Sequence, residues 1–340
     1  MANRIFYAVQ QVAIGQAPEG TYQVLKGVQS VSMTTTFNLE QAFELGQLEI
    51  YENIEGVPSV EMTINRLLDG TALAYVLAAG DGTNNYDNAD DINLASTNEF
   101  TARLGIWDET SDSFADGNPA NQVTISGAFI SNVSYTFGVD GNFTEELGIT
   151  ATDKAWYADC DAAAAWADDY TAGAFAGNND EPDFAGGVQR REYFDTASSN
   201  LPTIIPEGVN RLQSVSISAD FGREDLFELG NKGPFAKVAT FPLEVTCSIE
   251  VLSSGGDLVS AAAEGCATGL TSCDVNNNLT DEPILVVLCD GTRVDLGTKN
   301  KLSSVSYGGG DAGGGNVTTT FDFVTYNKLS VSGTGTVNMT

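Results

Sequence analysis

The chain has 340 residues, of which 42% are hydrophobic, so it is long enough to bury two ordinary domain cores. Its 46 acidic residues outnumber its 15 basic residues and give a formal net charge of −31, which disfavours binding to nucleic acid through phosphates. The absence of histidine from the sequence excludes Ser-His-Asp and Cys-His catalysis and most catalytic zinc sites. We therefore expect a protein that is not an enzyme and that has no catalytic residue, metal site or cofactor.

The acidic charge has two interpretations. The first is solubility or a salt-rich habitat, and the second is a surface that must face DNA without holding it. Abundant carboxylates do not by themselves indicate a glycosidase pair, because that chemistry depends on a defined separation between two of them.

The cysteines do not form a metal-binding pattern. Their number is odd and no CxxC pair occurs, so a zinc site is not expected. Cys247 and Cys289 sit inside apolar segments that predict strands, where a thiol usually packs as a small hydrophobe. The other three are Cys160, Cys266 and Cys273.

Two features predict the compartment. No apolar run approaches eighteen residues, so no membrane-spanning helix is expected. Residues 1–4 are not followed by the apolar segment that is typical of a secretory signal. We expect synthesis and folding in a cytoplasm.

The first predicted elements are strands. Residues 4–14 predict a first strand or a pairing arm, and residues 15–20 predict a turn. Residues 22–36 predict one long strand, with Val31 and Met33 on one face and hydroxyl side chains on the other.

A long connection at residues 37–59 follows, and connections of this length usually have a function. The next predicted strand, at residues 60–68, directs three apolar side chains inward. Its outward residues are Glu61, Thr63 and Asn65.

Residues 69–80 predict a short helix, and the polar residues 81–98 predict a loop. This acidic loop and residues 274–278 lack the glycine and glutamate positions of a calcium-binding EF-hand loop. A solvated acidic loop is the favoured interpretation of both segments.

Further strands are predicted at 100–107, 122–137 and 142–150, with a hairpin turn before the last. Residues 151–190 predict an acidic, Ala- and Gly-rich linker or insertion with a helix near 154–168. We expect aromatic residues of the linker, such as Trp156, to dock on the preceding domain.

The strongest pattern is an internal repeat. Residues 28–46 recur as residues 212–230, at a shift of 184 (212 − 28), with ten of nineteen positions identical. Unrelated segments would share roughly one or two positions. The sequence therefore predicts a tandem duplication, with copy one at 1–150, the linker at 151–190 and copy two at 191–340.

Copy two contains equivalents of most elements of copy one. Its long connection is 221–242 and its helix is 257–264, and its later strands are predicted at 284–289, 292–296, 301–307, 316–326 and 328–338. The predicted fold class is mostly β. It consists of two tandem antiparallel β-sandwich or half-barrel domains, each with one short α-helix and a long inter-strand loop.

The run from Val28 to Gly70 contains the alternating strand, the Phe43-Glu44-Leu45-Gly46 loop and the strand at Val60. This pattern resembles the tail tube proteins of long-tailed bacteriophages, whose fold is similar to that of type VI secretion tube proteins. The resemblance implies domains that close into a β-barrel ring on oligomerisation. For a duplicated chain, it implies a homotrimer that imitates a hexamer.

The resemblance also implies roles for particular residues. Polar strand faces would line a water-filled lumen, although an ordinary solvated sheet surface is an equally good interpretation of that pattern. The implied lumen residues are Ser30, Ser32, Thr34, Glu61, Thr63, Asn65, Ser214, Ser216, Thr246, Ser248 and Glu250. The implied ring-stacking residues are Leu39, Glu40, Phe43, Glu44, Leu45, Leu48, Tyr51, Glu224, Phe227, Glu228, Leu229 and Phe235.

A structural virion protein of this kind would form stacked rings that conduct DNA from capsid to host cell. Its partners would be further copies of itself and other tail proteins: baseplate or tip, terminator, tape measure and, in a contractile tail, a sheath. DNA would pass without specific binding, and the chain would not insert into a membrane. We expect it in the virion tail, after assembly in the host bacterial cytoplasm.

Two alternatives remain open. One is a duplicated extracellular β-sandwich binding module, such as an adhesin or a carbohydrate-binding domain. The other is a phage neck or tail-terminator ring.

Overall fold

The computed structural model describes residues 5, 10–16, 22–79, 88–89, 92, 97–107, 119–158, 187–205, 211–253, 281–308 and 315–333. These residues are mostly β, as the sequence predicts, and they contain very little helix. The short helix α1 spans Ala74–Ala79, and a single 3-10 turn spans Arg191–Tyr193. No helix in this part of the chain is both long enough and apolar enough to cross a membrane.

The described strands are numbered in chain order. Those of the first half are β1 (Gln10–Gln16), β2 (Tyr22–Val24), β3 (Val28–Thr36), β4 (Leu39–Phe43), β5 (Ile50–Glu55), β6 (Ser59–Leu67), β7 (Asn88–Ala89), β8 (Phe100–Ile106), β9 (Asn121–Gly138) and β10 (Thr144–Ala158). Those of the second half are β11 (Leu212–Asp220), β12 (Arg223–Leu226), β13 (Ala236–Ala239), β14 (Glu244–Leu252), β15 (Leu285–Val287), β16 (Arg293–Asp295), β17 (Lys301–Gly308), β18 (Thr318–Tyr326) and β19 (Ser330–Ser332).

One antiparallel sheet of eleven strands dominates the described part of the molecule. Eight of its strands follow the order β17-β18-β14-β11-β9-β10-β6-β3, and β8, β1 and β2 extend it from β9. A second sheet has the order β15-β16-β19-β7, and β4–β5 and β12–β13 form separate hairpins. The main sheet runs without interruption through strands of both halves of the chain.

Alternating residues decide which face of the sheet is buried. In β6, Val60, Met62 and Ile64 are buried, and in β14, Val245, Cys247 and Ile249 are buried. All six residues of α1 are also buried, and the helix packs against β1 and β9. The core therefore lies on the apolar face of the main sheet, as the period-two pattern predicts.

Two predictions for the first half are wrong in their boundaries. The strand predicted at 22–36 is broken between β2 and β3, where Gly27 has a φ of +73° and a Cβ would lie 2.6 Å from the Leu67 carbonyl oxygen. Only glycine accommodates both constraints easily. The long connection at 37–59 is a hairpin of β4 and β5, because its residues pair with one another.

Three further predictions need correction. The residues from Ala151 to Ala158 continue β10, so the start of the predicted linker and of its helix is strand. Trp156 does not dock on the core, since it is 56% exposed. Cys289 is exposed in a turn after β15, whereas Cys247 is buried, and burial raises the pKa of the Cys247 thiol to about 12.

Several predictions fall outside the described residues. These are most of the acidic loop at 81–98, the acidic segment at 274–278, the copy-two helix at 257–264 and the remainder of the linker from 159 to 186.

Candidate assembly surfaces

The eight-strand path of the main sheet contains one strand order twice. Read from the β3 end, it begins β3-β6-β10-β9 and continues β11-β14-β18-β17. The registers also correspond. Leu147 pairs with Val133 between β10 and β9, and Phe321 pairs with Val305 between β18 and β17. Each strand of the first set therefore has a counterpart in the second set.

The irregularities of the ladders correspond as well. The β3–β6 ladder skips Gln29 and the β11–β14 ladder skips Gln213. The amide Nε2 of Gln29 donates to the Gly27 carbonyl oxygen at 3.2 Å, and that of Gln213 donates to the Arg211 carbonyl oxygen at 3.0 Å. Bulges are specific features of a sheet, so matching bulges indicate matching local structure.

The β9–β11 ladder joins the two sets of strands. It pairs Tyr135 with Ile217 and Ser134 with Ser218. Tyr135 and Ile217 are each only 1% exposed, because each lies on the apolar face with a neighbouring strand on both sides. This junction is the place where one set of strands meets the next within the chain.

The two ends of the path are edges. Within the described residues, β3 pairs only with β6 and β17 pairs only with β18. Met33 on β3 is half-buried, and Tyr307 on β17 is 52% exposed, although its counterpart Tyr135 is buried. Open edges that present apolar side chains are ready-made surfaces for pairing with another chain.

The polar face of the sheet carries all eleven residues that the sequence predicts as lumen-lining. They are exposed or half-buried, and the cross-strand pairs place them on one face. For example, Ser32 lies opposite Thr63, and Ser216 lies opposite Ser248. The structure thus brings these residues together, on the face opposite the core.

Four carboxylates on this face are not among the predicted lumen residues: Glu146, Asp220, Glu244 and Asp322. Asp322 accepts hydrogen bonds from the hydroxyls of Ser248 at 2.7 Å and Ser304 at 2.5 Å. The alternation in their own strands was the signal that could have found them. With Glu61 and Glu250, six carboxylates lie on this face of the eight strands.

One basic residue, Lys301 at the start of β17, also lies on the polar face, where it pairs with Val324 of β18. Its ammonium group is 2.7 Å from a carboxylate oxygen of Asp281. The face is therefore predominantly acidic and rich in hydroxyls. Within the described part of the chain, no group of three cysteines or carboxylates is placed to hold a metal ion.

The two hairpins project exposed apolar side chains. All twelve residues predicted to stack rings lie in or beside β4–β5 and β12–β13, and all twelve are exposed. Leu45 and Leu229 are each 104% exposed at the tips, where Gly46 and Gly230 have φ values of +97° and +99°. Exposed apolar patches of this kind usually mark interaction sites.

A buried ionic network lies under the first set of strands. Arg66 is fully buried and donates to the Ala72 carbonyl oxygen at 2.5 Å and to the Asp69 carboxylate at 3.0 Å. Its Nε lies 3.8 Å from the carboxylate of Glu145, which is also fully buried. The network satisfies charges that burial would otherwise make costly.

The carboxylate of Glu145 also anchors α1. It accepts hydrogen bonds from the backbone amides of Ala74 at 2.9 Å and Tyr75 at 3.0 Å, and from the hydroxyl of Tyr135 at 3.0 Å. Burial, and then the neighbouring Glu145 charge, raise the pKa of the Tyr135 hydroxyl well above its usual value. At neutral pH this hydroxyl is therefore a donor to the carboxylate.

Known proteins offer limited similarity. No protein-family model matches the chain, and no curated protein matches it significantly. Among the solved structures that match, three each cover 46% of this chain. They are an anti-feeding prophage (AFP) baseplate, the sheath–tube complex of an extracellular contractile injection system (PVC), and the SPP1 tail tube. The identities are 13%, 13% and 9%, the TM-scores are 0.30, 0.35 and 0.33, and the matches cover 98%, 94% and 80% of those chains.

These structures belong to phage tails or related assemblies, the class that the sequence resembles. Scores of this size do not establish a shared function. The proposals below therefore depend on this chain's own strand order, edges and surfaces.

Proposed function

We propose that this chain is a structural tail protein that polymerises as stacked rings into a tube through which DNA passes. The observation that carries the proposal is the repeated strand order, because it leaves β3 and β17 as open edges at opposite ends of one path. The two sets of strands are interpreted as two copies of one duplicated domain. Each copy joins its neighbour through the same pair of strands.

The internal junction supplies the geometry of the junction between chains. Strand β3 is the counterpart of β11, and β17 is the counterpart of β9, so β17 of one chain would pair with β3 of the next as β9 pairs with β11. Ser134 pairs with Ser218 in the chain. Their counterparts, Ser306 and Thr34, would therefore lie opposite each other between chains.

The same pairing would bury the apolar edge residues. Tyr135 and Ile217 meet at the internal junction, and their counterparts are Tyr307 and Met33. Contact between these two would remove from water the tyrosine ring that is now half exposed. Closing the sheet on itself would remove both open edges, which is the usual solution to their tendency to aggregate.

A closed ring is proposed to contain three chains. The related tubes that the sequence resembles use six domains, and this chain would supply two of them. Three chains with eight path strands each would contribute twenty-four strands. Closed cyclic symmetry is the normal outcome of a head-to-tail interface whose rotation closes.

The polar face is proposed to line the lumen. It carries six carboxylates and many hydroxyls, so it would repel the phosphates of DNA and would not trap them. The two hairpins would extend to the adjacent ring, with Phe43, Leu45, Phe227 and Leu229 as apolar contacts. Other tail components, at the tip or baseplate, the terminator end and the tape measure, are the further partners proposed, in the tail of a virion.

A disulfide across the proposed junction tests the function directly. The variant Thr34→Cys/Ser306→Cys has its two new thiols on different edges of the same chain. Directly opposed residues in an antiparallel pair have Cα atoms about 4.5–5.5 Å apart, which suits a disulfide. On mild oxidation, we expect covalent oligomers whose ladder ends at three chains.

Two controls sharpen this test. Each single-cysteine variant reports the background from the native cysteines, and Thr34→Cys/Ser304→Cys moves one thiol by two positions along β17. The proposal predicts efficient linkage for the first pair only. Equal linkage of both pairs, or a chain that stays monomeric at all concentrations, would contradict it.

A further inference from the structure

The outer strands of the two halves also correspond. Tyr157 on β10 pairs with Gln122 on β9, and Val331 on β19 pairs with Val294 on β16. On the other side of β9 and β16, Gly105 of β8 pairs with Gln122, and Val286 of β15 pairs with Val294. The three-strand unit β15-β16-β19 is therefore the counterpart of β8, the start of β9 and the end of β10.

The far edges of these two units differ. The far edge of β19 is covered by β7, in a ladder that pairs Val331 with Ala89 and Ser332 with Asn88. Within the described residues, the corresponding end of β10, from Asp153 to Ala158, pairs with β9 on one side and with no strand on the other. One edge is thus covered by a strand from the other half, and its counterpart is open.

Side-chain exposure follows the same difference. Val331 is fully buried beneath its covered edge, whereas its counterpart Tyr157 is 40% exposed. The neighbouring Trp156 is 56% exposed. Two large aromatic side chains on an open strand edge form a surface on which an added strand would bury apolar area.

We infer that the Asp153–Ala158 edge of β10 receives a strand from the second half of a second copy of this chain. In the chain itself, the covering strand β7 lies between β6 and β8. The corresponding place in the second half lies between β14 and β15. The inference rests on the proposed ring, because it applies the internal junction to the junction between chains.

The direction of the two contacts is consistent. Within the chain, the first half supplies β9 to pair with β11 and also supplies β7 to pair with β19. Both contacts are therefore made by one domain on the next domain in the path. Between chains, the second half of one copy would contact β3 and the end of β10 in the same neighbour, so each interface would have two separate strand ladders.

Photo-crosslinking in assembled protein tests this surface. The full chain is produced with the photo-reactive amino acid p-benzoylphenylalanine in place of Trp156 and, separately, in place of Tyr157. Unlabelled and ¹⁵N-labelled chains are assembled together, irradiated with ultraviolet light and digested. Mass spectrometry then separates crosslinks between chains, which join one labelled and one unlabelled peptide, from crosslinks within one chain. The matched control carries the probe at Ser330, the counterpart of Trp156 on the covered edge.

We expect the probes at positions 156 and 157 to link to peptides from the second half of a different chain, with loss of the linkage when assembly is prevented. The probe at 330 should link within its own chain, near Asn88–Ala89. If the Thr34–Ser306 disulfide forms but the probes link elsewhere, the strand-docking inference is wrong and the ring proposal survives. If neither linkage forms, both are wrong.

Discussion

The two halves of this chain contribute matching sets of strands to the main sheet, but the buried residues beneath the two sets differ. Both have the same strand order, the same bulge positions and the same hairpin. Beneath the first half, the neighbouring pair Arg66 and Glu145 forms a buried ionic network, and the corresponding pair in the second half is Val251 and Thr319. The shared features are those that would face neighbouring domains, whereas the interior differs.

This difference teaches which constraints govern each surface. A sheet that continues from domain to domain needs fixed registers and bulges, because a slip of one residue turns every side chain to the other face. The interior needs only to be filled and its polar groups satisfied. Substitutions can therefore distinguish the effect of the buried network, which lies beneath the first half, from the effects of the surfaces that both halves share.

The largest expected effect is on stability, through the buried ionic network beneath the first half. Glu145→Ala removes one of the two carboxylates beside the buried Arg66 and the acceptor of three buried donors on Ala74, Tyr75 and Tyr135. Breaking a buried ionic pair typically costs about 3–5 kcal/mol. We expect a reduction of this size in the free energy of unfolding, measured by urea denaturation. The matched control is Thr319→Val, which removes a hydroxyl that has no hydrogen-bond partner among the described residues and should change stability by less than about 1 kcal/mol.

Equal destabilisation by Glu145→Ala and Thr319→Val would contradict this difference between the buried residues of the two halves. The variant Glu145→Gln adds a finer test, because it keeps the shape of the side chain and one acceptor oxygen but replaces the other oxygen by an amide nitrogen and removes the charge. It should lie between the wild type and Glu145→Ala.

The next effect is on the open edges. Tyr307→Lys places a charge where the proposed neighbour would pack, so assembly should weaken while the chain stays folded. A loss of about 1.4–3 kcal/mol of association energy would raise the dissociation constant about 10- to 100-fold. Sedimentation of Tyr307→Lys beside Tyr307→Phe measures it, and unimpaired assembly of the lysine variant would count against the junction.

The hairpins should affect stacking and not folding. Deleting residues 39–55 removes β4 and β5 but leaves Asn38 and Gly56, whose backbone carbonyl oxygen and amide nitrogen already lie 2.5 Å apart. The ends can therefore be rejoined without moving the sheet. We expect folded protein that forms rings but no longer stacks into tubes in electron micrographs, and normal tubes would overturn the role given to the hairpin.

The smallest effect concerns the polar face. Replacing Glu61 and Glu250 with lysine should leave tubes assembled but slow the passage of DNA, because cations on the wall would attract phosphates. Charge interactions decay over about 8 Å at physiological salt, so lysines on an outer surface should act far less. DNA release from particles that carry each variant measures the effect, and unchanged release would contradict a lumen lined by this face.

Local patterns predicted much of this structure. The alternation at residues 60–64 placed Val60, Met62 and Ile64 in the core and Glu61 and Thr63 on the polar face, as observed. The hairpin at 37–59 was missed because its apolar residues face solvent, so they do not follow a buried pattern. Burial of Glu145 could not be predicted, since it depends on Arg66 and α1, which are distant in sequence.

The central claim is that one sheet continues from chain to chain through β17 and β3. Cryo-electron microscopy of purified assemblies tests it most directly, because the number of chains in a ring and the strand at each boundary are both visible. The account predicts three chains per ring, with β17 of each chain paired to β3 of the next. A ring of six chains, or rings in which β3 and β17 remain unpaired, would contradict it.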